Sequence, residues 1–105
     1  MASLLAGKST VVTGAVTGIG RAIALGFLRN GAAVTVNHLG DAQSALDYET
    51  LRQEAPADAR LIAVAGDIRR NETGREIVAK ATSEFGGVDV FVANAGVSQF
   101  RDFLT

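Results

Sequence analysis

The chain has no cysteine and no tryptophan, and only a single proline, histidine and tyrosine among its 105 residues. Without thiols there is no disulfide framework and no thiolate metal site, and one histidine does not build a zinc centre. Charge of one sign is lacking as well: Lys and Arg number 10 against 11 for Asp and Glu, a formal net charge of -1. That balance draws the chain neither to nucleic acid nor to an anionic membrane surface. No run approaches the ~18 apolar residues of a membrane span, and the apolar stretch in "MASLLAGKST" is too short for a secretion signal. These absences leave the expectation of a soluble, intracellular (cytoplasmic) protein that works on small molecules.

What the chain does have is 48% hydrophobic residues and 12 glycines. The apolar residues suffice for a core, and the length has room for one domain, residues 1–105. Strand-like and helix-like periods alternate along it. "STVVTG" (9–14) predicts a strand buried on both faces, and "GIGRAIALGFLRNG" a helix with Ile19, Ile23, Gly26 and Phe27 on one face and Gly31 as its stop. A second strand spans 32–38, and a helix over 41–55 is capped by Asp41 and stopped by Pro56. A third strand covers 60–67, and the helix within 71–85 turns Ile77, Ala81 and Phe85 to one side before Gly86 and Gly87 end it. "VDVFVANAG" (88–96) is the fourth strand, and "FRDFLT" reads as the first turn of another helix.

The string βαβαβαβ with right-handed crossovers predicts an α/β doubly wound parallel sheet, strand order 3-2-1-4: a partial Rossmann arrangement that stops after strand 4. At the first strand-to-helix junction, "TGAVTGIG" sets Gly14, Gly18 and Gly20 in a G-x-x-x-G-x-G pattern. Glycines suit that place because the backbone turns sharply and a pyrophosphate must approach main-chain N–H groups with no Cβ between them. The helix that follows aims its positive end at the phosphate. The plainer alternative is a tight turn that lets the helix pack close to the sheet.

The glycine turn and "ANAG" (93–96), at this separation, resemble the short-chain dehydrogenase/reductase family of NAD(P)-dependent oxidoreductases. "GAVTGIGRAIA", "VNHLGD", "GDIRRNETGREIV" and "VFVANAGVSQFRDFL" look most like the fungal L-rhamnose dehydrogenases. The resemblance covers essentially the whole chain but only the N-terminal part of the family's domain. It implies a nucleotide cofactor, NADP or NAD, held by Gly14, Thr17, Gly18, Ile19 and Gly20 in the glycine turn. Asn37 and His38 end the second strand, where doubly wound folds meet the adenosine ribose. Neither an acid for the NAD 2'-hydroxyl nor an arginine for the NADP 2'-phosphate stands there, so both cofactors stay open; His38 reads first as a plain polar strand end, and second as a group titrating near neutral pH that senses a 2'-phosphate. By resemblance Asp67 and the main chain of Ile68 meet adenine; otherwise Asp67 closes a turn. Asn94, Ala95 and Gly96 line the nicotinamide-ribose side, with Asn94 also serving as a structural amide at a strand end. Ala93 departs from the family's usual Asn.

Family catalysis uses a Ser and a Tyr-x-x-x-Lys beyond strand 4. The chain offers no catalytic residue of that kind: its one tyrosine, Tyr48, is followed by Arg52 rather than Lys and is assigned to the surface of the second helix, across the sheet from any site. The expectation is a cofactor-binding half of an oxidoreductase acting on an alcohol, ketone or sugar hydroxyl, inactive as it stands. The alternatives are a non-catalytic nucleotide-binding or interaction module and a shortened gene product without activity. A small-molecule substrate belongs only to a full-length parent. The open edge of strand 4, 88–92, is expected to self-associate or to pair with another chain.

Overall fold

The computed structural model describes residues 4–94. Its elements are β1 (Ser9–Thr13), α1 (Gly18–Arg29), β2 (Ala33–His38), α2 (Ala42–Glu54), β3 (Leu61–Ala65), α3 (Asn71–Phe85) and β4 (Val90–Val92). The strands form one sheet in the order β3-β2-β1-β4, every pairing parallel. This is the expected doubly wound topology. The register brings Thr13 beside Asn37, His38 beside Ala65 and Val12 beside Val92, so all four strands end along one edge of the sheet.

The β-branched residues of the central strands alternate between two cores, as the period of two requires. Val12, Val34 and Val36 face Ala24, Leu25 and Leu28 of α1 and Leu51 of α2. Val11 and Val64 face Ile77 and Ala81 of α3 on the other side. Helices therefore cover both faces, and β1 is buried along its whole length. At the opposite end from the site, the Ser9 N–H donates to the Asp89 carboxylate at 2.8 Å and the Asp89 N–H donates to the Ser9 carbonyl at 2.8 Å, which fixes where β4 meets β1.

Helix α1 differs from the expected face. Its buried stripe is Gly20, Ala24, Leu25 and Leu28, while Ile19 is 74% exposed. The smallest residues face the sheet because they allow the helix axis to come close to β1, and the bulkier Ile19 is left at the mouth of the glycine turn. Gly31 has φ +88, the left-handed stop expected after this helix. Helix α3 ends as predicted at Gly86, φ +85. Strands β3 and β4 are shorter than the hydrophobic runs that announce them. Val90 and Phe91 of β4 are 37% and 44% exposed. Ala95, Gly96 and the "FRDFLT" turn lie outside the described residues.

Candidate cofactor site

The site is built where β1 empties into α1. Gly14 and Gly18 both have φ +58, a backbone conformation that costs an L side chain ~1–2 kcal/mol. Between them Ala15 and Val16 fold inward to the core and Thr17 is left exposed. The Ala15 N–H reaches the Asn37 carbonyl at 3.3 Å, tying the turn to β2. Thr17 is the N-cap residue of α1 but makes no side-chain cap, and no acid stands in the helix's first turn. The first N–H groups of α1 are thus claimed by no side chain, at the positive end of the helix dipole.

Gly20 lies against a wall. A Cβ there would fall on the Gly14 carbonyl oxygen and 2.6 Å from Asn94 Nδ2. Asn94 itself, half-buried just past β4, donates from Nδ2 to that same Gly14 oxygen at 3.1 Å. Turn, helix and the end of β4 are locked around one carbonyl. The close contact leaves no room for a side chain at Gly20, and the start of α1, capped by no side chain, offers its N–H groups to an anion.

At the end of β2, Asn37 is 2% exposed. Its Nδ2 donates to the carbonyls of Val64 at 3.1 Å and Gly66 at 3.0 Å, and the Gly66 N–H donates to the His38 carbonyl at 2.8 Å. Both amide hydrogens of Asn37 thereby join β2 to β3. His38 comes next and is half-buried. The Gly40 N–H donates to His38 Nδ1 at 3.1 Å and lies 3.0 Å from Ser44 Oγ, which is itself 3.0 Å from Nδ1. The Ser44 hydroxyl lies 3.2 Å from the Asp41 carbonyl, and the Ser44 N–H donates to the Asp41 carboxylate at 2.8 Å, the helix cap expected of Asp41.

Burial pushes the His38 imidazole below its ordinary range, with the Asp41 carboxylate opposing the shift. Hydrogen bonding from Ser44, side chain first and backbone N–H second, holds Asp41 below the usual carboxylate range. A cleft of about 240 Å³ opens here, lined by Gly14, Val16, Thr17, His38, Asp41 and Asp47 among others.

Tyr48 corrects the reading that set it across the sheet. Its ring stacks on His38, centroids 5.8 Å apart and planes 23° off parallel. Ser44, Tyr48 and Leu51 fall at i, i+4 and i+7 of α2, and that face is turned toward the end of β2 and the core. Burial raises the Tyr48 phenol above its ordinary range, so the hydroxyl stays protonated at neutral pH. Arg21, the cation of α1 nearest this cleft, is tied to Glu54 Oε2 at 2.9 Å and to the Asp47 carbonyl at 3.4 Å.

Past β3, Asp67 accepts the Arg69 N–H at 2.9 Å and a two-pronged contact from the Arg69 guanidinium, Nε at 3.0 Å to Oδ1 and Nη2 at 2.7 Å to Oδ2. The Arg69 side chain, then its N–H, pulls the Asp67 carboxyl down to about 2. Asp67 thus closes a turn, as its alternative reading had it, with its carboxylate still ionised at the sheet edge. Ile68 packs on the Val11, Val64, Ile77 cluster, which fixes its main chain. Ser44 and Arg69 were not singled out from sequence. The spacing of Asp41 and Ser44, that of a helix cap and the N–H it accepts, carried a signal for the first; no sequence pattern pairs the second with Asp67.

The short chain dehydrogenase family model matches residues 8–105. The chain is 49% identical over 105 residues to an L-rhamnose-1-dehydrogenase of Scheffersomyces stipitis, covering 99% of this chain and 41% of that protein. It is 48% identical to an L-rhamnose 1-dehydrogenase (NAD(P)(+)) of Sphingomonas sp., covering 96% of this chain and 39% of that one. The crystal structure of L-sorbose reductase from Gluconobacter frateurii, complexed with NADPH and L-sorbose, superposes with a TM-score of 0.77 at 33% identity, over 92% of this chain and 36% of that chain. The chain thus spans about two fifths of the length of the curated relatives it matches. With the family model matched from β1 onward and the glycine turn, helix start and Asn94 meeting in one cradle, the chain belongs to the short-chain dehydrogenase family.

Proposed function

We propose that this chain is the cofactor-binding part of an NAD(P)-dependent oxidoreductase that interconverts a carbinol and a carbonyl, with a sugar hydroxyl as the leading substrate class. One observation carries the reading: Gly14, Gly20 and Asn94 close around a single carbonyl so that the uncapped start of α1 is open to an anion. The pyrophosphate is assigned to Gly14, Thr17, Gly18, Ile19 and Gly20, and the adenosine ribose to the cleft beside His38. Asp67 and the main chain of Ile68 are assigned to adenine. Asn94 is assigned to the nicotinamide-ribose side together with Ala95 and Gly96. Asn37 shapes the ribose cleft by holding the ends of β2 and β3 together, whichever dinucleotide is bound. When bound, the nicotinamide supplies the hydride acceptor or donor.

The sugar substrate class is supported by the relatives' names, L-rhamnose and L-sorbose. The residues assigned above bind and orient the dinucleotide. The exposed Val90 and Phe91 of β4 support pairing of a further strand along that edge, from a longer form of the protein or from a second copy.

The test is thermal unfolding with ADP-ribose, which carries the adenosine and pyrophosphate but no nicotinamide. A ligand that binds only the folded chain raises Tm with concentration, by a free energy of RT ln(1 + [L]/Kd). A Tm that does not move at millimolar ADP-ribose counts against the assignment.

A further inference from the structure

We propose that His38 sets the preference between the two dinucleotides, presenting a positive charge to the 2'-phosphate of NADP when protonated and only a neutral donor to NAD when not. The proposal rests on the dinucleotide reading above and adds what selects between its two forms.

The argument starts from charge. NADP differs from NAD by a phosphate on the adenosine ribose, and a site that takes it needs a cation there. No lysine or arginine is among the residues lining the cleft beside His38, whereas Asp41 and Asp47 are. From α1, Arg21 is neutralised by Glu54. From α2 come the Asp41 carboxylate, Asp47 and the Tyr48 face, with Arg52 paired to Glu49 at 3.6 Å further along the helix. From β3 the neighbour in register is Ala65, which carries no charge. Among the described residues, His38 is the group lining this cleft that can become cationic near neutral pH.

The hydrogen bonds around the ring suit both of its states. In the neutral ring Nδ1 accepts the Gly40 N–H at 3.1 Å, so the proton sits on Nε2, which has no protein partner among the described residues. When Nδ1 gains a proton it donates to Ser44 Oγ, already 3.0 Å away. The Gly40 N–H keeps its second acceptor, the same Ser44 oxygen at 3.0 Å, while the Ser44 hydroxyl donates to the Asp41 carbonyl at 3.2 Å. A serine hydroxyl has two acceptor positions and one donor, and all three are used. The Gly40 N–H, Nδ1 and the Ser44 hydroxyl keep their partners in both states, so the charge can come and go without rebuilding the loop. Burial of the ring favours its neutral form, with the Asp41 carboxylate opposing, and a phosphate nearby favours the cation. Binding of NADP then draws in a proton that binding of NAD does not.

The experiment measures Kd for NADPH and for NADH by fluorescence titration of the full chain from pH 8 to pH 6.5. The 2'-phosphate, with its second pKa near 6, stays mostly doubly charged over that span. The ratio of the NADPH Kd to the NADH Kd is expected to fall severalfold in the native chain, because the 2'-phosphate favours the protonated ring. In His38→Asn the ratio stays flat. A ratio that does not fall in the native chain, or that falls equally in the variant, overturns the proposal. Should the variant not fold, calorimetry of the native chain at pH 7.5 in two buffers of different ionisation enthalpy decides: greater proton uptake with NADP than with NAD supports it, and equal uptake overturns it. If a folded chain binds neither dinucleotide, the cofactor reading fails and the selection role of His38 fails with it. Binding of both with a pH-independent ratio refutes only the role of His38.

Discussion

Asn94 Nδ2 donates to the carbonyl oxygen of Gly14 at 3.1 Å, joining residues 80 positions apart in the chain. The bond fixes the glycine turn against the end of β4. Replacing Asn94 by Ala leaves a partly buried carbonyl short of a donor. The expected loss is ~1–1.5 kcal/mol of stability, read from the denaturant midpoint, with NADH binding weakened beyond what that loss of folded protein explains. Unchanged affinity in the folded variant would show that the bond is structural only.

Two glycines of α1 should answer oppositely to the same change. Gly20→Ala drives a Cβ into the Gly14 carbonyl and to 2.6 Å from Asn94 Nδ2, whereas Gly26 has nothing within 4 Å of its Cβ position. Gly20→Ala is expected to destabilise by ~1–3 kcal/mol and to weaken dinucleotide binding. Gly26→Ala is expected to stabilise by ~0.5–1 kcal/mol through helix propensity and to leave binding alone. Urea unfolding of both variants checks the pair.

The Asp67–Arg69 contact gives a pH signature. Its folded-state carboxyl is held at about 2, below the ordinary 3.8. A group depressed in this way adds stability above its unfolded pKa and loses it as pH falls from there toward the folded value. The native chain should therefore lose stability between pH 3.8 and about 2 by a step that Asp67→Asn lacks. The pair is exposed, so raised salt should shrink the step. Thermal melts across that window at two salt concentrations measure it.

The β4 edge predicts association. With Val90 and Phe91 exposed on an edge strand, the chain should sediment as a dimer or larger species at micromolar concentration. Placing a lysine at Phe91 should shift it toward monomer. A soluble native monomer across that concentration range would show that the edge needs no partner.

Much of this was legible in the sequence for physical reasons. The Val- and Thr-rich runs at 9–14 and 32–38 read as strands buried on both sides, and with right-handed crossovers they give the sheet, its order and the place of the glycine turn. The face of α1 was less legible, because periodicity ranks residues by hydrophobicity while close packing on β1 selects the small Gly20 and Ala24 over Ile19. Tyr48 was misplaced for a related reason: α2 has no clear apolar stripe to show which way it faces, and only the turn through Gly40 and Asp41 brings Ser44 and Tyr48 back onto His38. The pairing of Arg69 with Asp67 depends on side-chain conformations two residues apart, which no sequence pattern specifies.

The central claim is that the Gly14, Gly20 and Asn94 cradle holds a dinucleotide, and fluorescence titration of the chain with NADH at pH 7.5 tests it most directly. The account predicts saturable one-site binding to the native chain and its loss in a Gly20→Val variant that circular dichroism shows to be folded. A folded native chain with no saturable binding of NADH or NADPH, or a folded Gly20→Val variant that binds as tightly as the native chain, would contradict it.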